Sequence, residues 1–286
     1  MNIDLHIHST ASDGTLSPEE IIVMAGNLNL AAIAITDHDT IDGSKAALQY
    51  GIPSNLKFLT GVEISASPPP SFNLIEGSIH ILAYSIRLDD YDFNKALEKV
   101  QKARVDRNPR IIERLNTLGM DISMDEVISL AGVNGQTGRP HIAQCLLKKG
   151  FIKSFNEAFD KYLGKGKPAY VDKDKLDCAH AIKLIKNAGG IPVLAHPYVI
   201  FSRNDQQLEK LVLYLTKMGL MGIEVFYPEH SLDNIRYYTE LARRCNLLMT
   251  GGTDFHGSLK PEIKMGTGRG GFKVPYSVYE KLVEAL

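Results

Sequence analysis

The stretch Leu30-Ala31-Ala32-Ile33-Ala34-Ile35-Thr36-Asp37-His38-Asp39 changes character halfway. Leu30 to Thr36 is an unbroken apolar run, the pattern of a strand buried on both faces. Asp37-His38-Asp39 then sets titratable groups at its C-terminal end. The same pairing of apolar strand and polar strand end recurs along the chain. Ile3 to Ile7 carries His6 and leads into His8, and Lys57 to Ile64 carries Glu63. Ser78 to Ile86 holds His80, and Ile191 to Ala195 runs into His196. Met221 to Phe226 is a further strand, and Leu247 to Gly251 leads to Thr253-Asp254-Phe255-His256.

Helical signals separate these strands. Ser17-Pro18-Glu19-Glu20 starts a helix, with Ser17 as N-cap, Pro18 in the first turn and Glu20 closing a capping box. Helices are predicted around Gly43 to Gln49 and over Leu176 to Ala188, Gln206 to Met218, Asn234 to Cys245 and Val278 to Leu286. Ser67-Pro68-Pro69-Pro70-Ser71 can only be a loop. From Asp92 to Gly166 the period is helical throughout. Phe93 to Leu118 is one long helix, predicted to kink or break at Asn108-Pro109. Shorter helices follow at Met124 to Ala131, Pro140 to Lys149 and Phe155 to Leu163, with glycine-rich turns at 132–138 and 164–166. Seven strands with helical crossovers predict an α/β fold, a parallel seven-stranded β/α barrel of the TIM type. The barrel takes residues 1–91 and 167–286, with a helical insertion at 92–166 after strand four. A doubly wound open sheet is the alternative.

The 286 residues hold 32 Lys and Arg against 33 Asp and Glu, a net charge of −1. Binding to duplex DNA through bulk charge is therefore not expected, and any anion must be met by a local site. With 44% hydrophobic and 23% charged residues, disordered and fibrous classes are excluded. Cys145, Cys178 and Cys245 are too few and too far apart for a disulfide framework or a Cys-x-x-Cys zinc knuckle, which suits a reduced, cytoplasmic setting. The start, Met1-Asn2-Ile3-Asp4-Leu5-His6, lacks a secretory pattern, and no apolar run nears the about 18 residues of a membrane span. No membrane partner is expected, and the oligomeric state is left open.

In a parallel barrel the C-terminal strand ends meet at one mouth. His6, His8, Asp13, His38, Glu63, His80, His196, Asp254 and His256 should therefore converge in space. Residues two apart in a strand face the same side, so His6 and His8 both point inward. Clustering so many titratable groups is costly unless something pairs them. Imidazole and carboxylate together suit Mn, Fe or Zn. One ion takes about four to six ligands, so nine residues imply two or three divalent ions, with Glu63 as a bridge. Three such ions against Asp13, Glu63 and Asp254 leave about +3, which attracts an anion. This is the logic of multi-metal phosphate ester hydrolysis.

Leu5-His6-Ile7-His8-Ser9, Ser12-Asp13-Gly14, Ile35-Thr36-Asp37-His38-Asp39, Gly61-Val62-Glu63-Ile64, His80, Ala195-His196-Pro197 and Gly252-Thr253-Asp254-Phe255-His256 resemble, in order, the motifs of the PHP (polymerase and histidinol phosphatase) superfamily. The resemblance implies a distorted seven-stranded barrel with a trinuclear metal centre. By it, His6, His8, Glu63 and Asp254 hold one ion, Glu63, His80 and His196 a second, and Asp13, His38 and His256 a third. Where some members carry histidine this chain has Asp13, a harder donor that favours Mn or Fe.

The insertion resembles that of the superfamily's small nucleotide phosphoesterase branch, whose members act on nucleoside 3′,5′-bisphosphates or degrade short RNA from the 5′ end. Arg104-Val105-Asp106-Arg107-Asn108 and Gly138-Arg139-Pro140-His141 carry that likeness. Arg104 and Arg107, three apart, share a helix face and suit a second, non-reacting phosphate. Arg139 and His141 are further candidates for substrate contact, whereas His180 and His230 read as surface or helix residues. The expected activity is hydrolysis of nucleotide phosphate esters (bisphosphates, monophosphates or 5′ ends of short RNA). The attack is by a metal-bound water or hydroxide held by Glu63, Asp254 and His196, with no covalent intermediate. A histidinol-phosphate phosphatase and a non-catalytic metal-binding regulatory module are the alternatives. The native metal, the preferred ester and the proton donor are left open.

Overall fold

The computed structural model describes residues 1–72, 79–131, 136–200 and 205–286. Its strands are β1 (Asn2–Ile7), β2 (Ala32–Ile35), β3 (Lys57–Ser67), β4 (Ile79–Tyr84), β5 (Leu176–Asp177), β6 (Ile191–Leu194), β7 (Gly222–Phe226), β8 (Leu248–Gly251) and β9 (Val274–Pro275). They run in the order β8-β7-β6-β4-β3-β2-β1-β9, with β5 beside the end of β3. The wall meets itself where Ile7 bridges Phe255, just past β8, and the His8 amide donates to the Phe255 carbonyl at 2.9 Å. The described residues form nine strands where seven were predicted; the two extra, β5 and β9, are two residues each, and the other seven form the wall of the α/β barrel. The predicted start of strand four at Ser78 and residues 132–135 of the glycine-rich turn lie outside the described residues.

One strand runs against the prediction. β4 is antiparallel to both β3 and β6, not parallel. Parallel neighbours need a crossover of about a dozen residues or more, usually a helix. The link from Ser67 to Ile79 is shorter than that and opens with Pro68-Pro69-Pro70. The reversal brings the start of β4 to the mouth made by the C-terminal ends of the parallel strands. His80 sits there, opposite Ser65 of β3. A second difference falls at Leu176, where helix was predicted. Leu176–Asp177 pair with Ala66–Ser67 instead, and Asp177 caps the helix Cys178–Asn187 by accepting the His180 amide.

The long helix spans Tyr91–Thr117 and does not break at Pro109. The carbonyl that Pro109 leaves without an amide belongs to Val105, which is 63% exposed, where water can serve it. The helix joins two cores. Phe93, Leu97 and Val100 pack with the barrel side chains Ile64, Ile81 and Ile185. Ile111, Ile112 and Leu115 pack in a separate cluster with Val127, Ile142 and Leu146. Arg104, Arg107 and Asn108 are buried between the two. A third core of Ile3, Leu5, Leu82, Tyr84 and Val193 is joined by Val278 and Leu282 of the C-terminal helix, Tyr276–Glu284.

The strand registers slip between Asp4 and Ile7 of β1 and between Glu224 and Phe226 of β7. Such bulges re-aim side chains, and both fall where the polar residues gather.

Candidate active site

Glu63, fully buried near the middle of β3, is the hub of the mouth. Its Oε1 lies 2.8 Å from His80 Nδ1 and 2.9 Å from His196 Nε2. Its Oε2 lies 3.0 Å from His38 Nδ1, 3.3 Å from His8 Nε2 and 3.5 Å from His6 Nε2. Asp254 adds Oδ1 at 3.1 Å from His8 Nε2 and 3.4 Å from His6 Nε2. On the far side, Asp13 Oδ1 is 3.5 Å from both His8 Nδ1 and His256 Nε2. All nine residues thus come together.

Three groups of ligand atoms each fit within 4.8 Å: His6, His8, Glu63 and Asp254; His8, Asp13, His38 and His256; His38, Glu63 and His80. His196 falls outside these groups but lies 3.3 Å from His80.

The donor set fits divalent cations. Buried His6 Nε2, His8 Nε2, His38 Nδ1 and Glu63 Oε2 crowd together without a well-aligned hydrogen bond among them. Leaving such atoms unsatisfied costs about 1–3 kcal/mol each, so a convergent set of them is a site that a cation completes. The electrostatics agree. Burial pushes the His8 imidazolium down, yet Asp254 and Glu63 overcome it and raise His8 to about 10. Burial pushes Glu63 up, but His80, His38 and His6 hold its carboxyl well below the usual range. These carboxylates draw positive charge into the mouth.

Backbone geometry holds the donors in place. His196 and Asp254 adopt φ of 26° and 53°, left-handed values that are uncommon for non-glycine residues, and for His196 in particular. Gly252 lets the chain after β8 approach β1, since a Cβ there would sit 2.3 Å from the His6 nitrogen. Asp37 anchors the loop carrying Asp13. Its oxygens accept the Ser9 amide at 2.7 Å, the Ser9 hydroxyl at 2.7 Å and the Ser12 hydroxyl at 2.6 Å.

A cleft of about 830 Å³ opens from Asp13, His38 and His80 and is walled by Arg104, Arg107, Arg139 and Lys173. Arg104 and Lys173 share one carboxylate, Asp39 Oδ2, with Lys173 Nζ at 3.0 Å. Arg107 donates to the neutral amide oxygen of Asn108 at 2.7 Å, and Arg139 to the Leu163 carbonyl at 3.0 Å. Arg139 also faces the rings of Tyr170 and Phe159, 5.5 and 6.0 Å from their centres. Burial, with Arg104 and Arg139 adding to it, lowers Arg107 to about 9. Burial lowers Lys173 to about 8 against the pull of Asp39. His141 is buried and does not line this cleft. Its Nδ1 accepts the Gly138 amide at 3.1 Å, securing the turn that presents Arg139.

Sequence reasoning missed four residues. Glu224 is fully buried behind His6 and His196, and a lone carboxylate inside the apolar strand Gly222–Phe226 was the available signal. Lys260 and Tyr227 reach Asp254 Oδ2 at 2.8 and 3.1 Å. Lys173 carries no signal of its own among the neighbouring lysines. His230 is neither at the surface nor in a helix. It is buried in the turn after β7, its Nδ1 is 2.8 Å from the Val225 carbonyl, and burial lowers it to about 4.

A sequence model of the PHP domain matches residues 4–225. The chain is 33% identical to a 3′,5′-nucleoside bisphosphate phosphatase of Chromobacterium violaceum, over 89% of this chain and 87% of that one. It is 32% identical to a 5′-3′ exoribonuclease of Haemophilus influenzae, over 88% and 89%. A solved structure from Bifidobacterium adolescentis, described as a metal-dependent phosphoesterase, superposes with a TM-score of 0.84 at 28% identity, covering 98% and 95% of the two chains.

Proposed function

The chain belongs to the PHP domain family and is a metal-dependent phosphoric ester hydrolase, and from that premise we propose that its substrates are nucleotides carrying a second phosphate. Nucleoside 3′,5′-bisphosphates and the 5′ ends of short RNA are both of this kind. The observation that carries the reading is the continuity of one cleft from the Glu63 cluster to the Arg104–Arg107–Arg139–Lys173 wall. A guanidinium fork recognises a phosphate through paired charged hydrogen bonds. Histidinol phosphate, with a single phosphate, would leave that wall unused.

His6, His8, Asp13, His38, Glu63, His80, His196, Asp254 and His256 would hold two or three ions of Mn, Fe or Zn. When bound, such ions supply Lewis acidity that activates water and neutralises phosphoryl oxygens. Glu63, Asp254 and His196 then fix where the attacking water stands. Arg104, Arg107 and Arg139 grip the second phosphate and do no chemistry themselves, while His141 holds the Arg139 turn from beneath. The barrel, 1–91 and 167–286, carries the ions, and the insertion, 92–166, serves as the substrate cap.

The state of Cys178 supports direct attack. Cys178 is the first residue of its helix, directly after the two-residue β5 that pairs with the end of β3. Its thiol is buried against the Ser67 carbonyl at 3.0 Å and pushed up to about 12 by burial, too high for a thiolate at neutral pH. The three free cysteines suit a reducing compartment such as the cytoplasm, and no described helix is long and apolar enough to cross a membrane. The test is a substrate panel. Adenosine 3′,5′-bisphosphate or 5′-phosphorylated short RNA should be hydrolysed with higher kcat/KM than AMP or histidinol phosphate. A preference for histidinol phosphate would overturn the reading.

A further inference from the structure

The fully buried carboxylate Glu224, on β7, spends both oxygens on the chemistry of its neighbours. Its Oε1 lies 3.0 Å from His6 Nδ1, and its Oε2 accepts the backbone amide of His196 at 2.8 Å. His6 and His196 face opposite oxygens of Glu63, at Oε2 and Oε1. We infer that Glu224 is the positioning residue of the metal centre, fixing His6 with its proton on Nδ1 and seating the strained backbone of His196. This inference rests on the metal-ligand reading given above.

The argument is one of donors and acceptors. A carboxylate can only accept, so the ring nitrogen of His6 facing it must carry the proton. The other nitrogen, Nε2, then presents its lone pair, and it is this atom that points at Glu63 and Asp254 without a well-aligned hydrogen bond. A histidine that binds a metal through one nitrogen commonly has the other held by a carboxylate, which fixes the tautomer and the ring plane. The second oxygen adds a constraint of a different kind. The His196 amide is a donor that no change of protonation can remove. It holds a residue whose φ is 26°, a conformation that persists only where the surroundings impose it. One side chain therefore orders two ligands that come from strands far apart in sequence.

The same logic predicts what an isosteric change does. In Glu224→Gln the amide oxygen must face the His196 N–H, because the amide nitrogen there would oppose donor to donor. The Gln nitrogen is thereby turned toward His6 Nδ1. Nδ1 must then accept, the ring proton moves to Nε2, and the atom facing the centre loses its lone pair. The fold keeps its shape while one ligand is switched off.

The experiment uses zinc-loaded, ¹⁵N-histidine-labelled protein, read by long-range ¹H–¹⁵N spectra and by zinc titration. Wild type should show a His6 proton on Nδ1 with Nε2 bound to metal. Glu224→Gln, with its backbone amide fingerprint preserved, should lose that proton signal and bind zinc about 10- to 100-fold more weakly at one site. A variant that retains the Nδ1 proton and full zinc affinity overturns the inference and leaves the metal reading standing. Wild type that binds no zinc overturns both. Should the variant fail to fold, the wild-type spectrum decides alone: a His6 proton on Nε2 refutes the assignment, and one on Nδ1 supports it.

Discussion

The two ends of the cleft are built on opposite excesses of charge. At the mouth, five histidines crowd the single carboxylate of Glu63, with Asp13 and Asp254 beside them, and the carboxylates pull positive charge inward. Along the wall of three arginines and a lysine, burial lowers Arg107 and Lys173, Arg107 and Arg139 donate to neutral carbonyls, and Asp39 is shared by Arg104 and Lys173. One end is short of cations and the other of anions. The contrast fits the proposal that the mouth takes metal and the wall takes substrate, so damage to each should read out in a different kinetic constant.

The largest effect should come from the hub. Glu63→Ala removes the carboxylate shared by all three ligand groups but one, and kcat/KM should fall by about three orders of magnitude, about 4 kcal/mol, on every substrate alike. Steady-state kinetics at saturating metal check this, and a loss confined to bisphosphates would break the division between mouth and wall. On the wall, Arg107→Ala should raise KM for a bisphosphate with little change for a monophosphate, a difference of about 1.5–3 kcal/mol in kcat/KM. Equal losses on the two substrates would merge the regions.

A pH profile sharpens the same contrast. Lys173, lowered to about 8, is cationic below that value and neutral above it, while the arginines of the wall stay charged. On the proposed reading the wall's pull on a second phosphate is therefore full at neutral pH and weakened as pH rises. The kcat/KM for a bisphosphate should decline on an alkaline limb near pH 8 that the monophosphate profile lacks. The smallest change is expected at Tyr227→Phe, which removes one hydrogen bond to Asp254 Oδ2. Metal affinity should drop by less than about tenfold, in keeping with about 0.5–1.5 kcal/mol per neutral bond. Isothermal titration with Mn²⁺ would measure it.

Much of the mouth was legible because its residues sit at strand ends, where apolar periodicity itself announces the position. His6, His8, Glu63 and Asp254 needed no knowledge of their partners. Glu224 did, since its contacts lie 218 and 28 residues away and exist only once the barrel has closed. Lys260 was hidden by proximity of another sort, six residues from Asp254 along a loop whose course no periodicity fixes. The direction of β4 was written in the short proline-led link before it, but strand patterns alone say nothing of polarity. Pro109 misled because helix breaking was judged from the ring and not from the exposure of the turn it disturbs.

A 27-residue helix anchored at one end in the barrel core and at the other in the insertion is a ruler. Arg104 and Arg107 are marks on it, and their distance from Glu63 is set by a count of residues, at about 1.5 Å and 100° for each. Adding a single residue between Val100 and Arg104 would turn both guanidinium groups by about 100° relative to the barrel, together with the Ile111, Ile112 and Leu115 anchor. If the wall holds a second phosphate as proposed, the gap it accepts between the two phosphates is a length measured along the protein's own backbone.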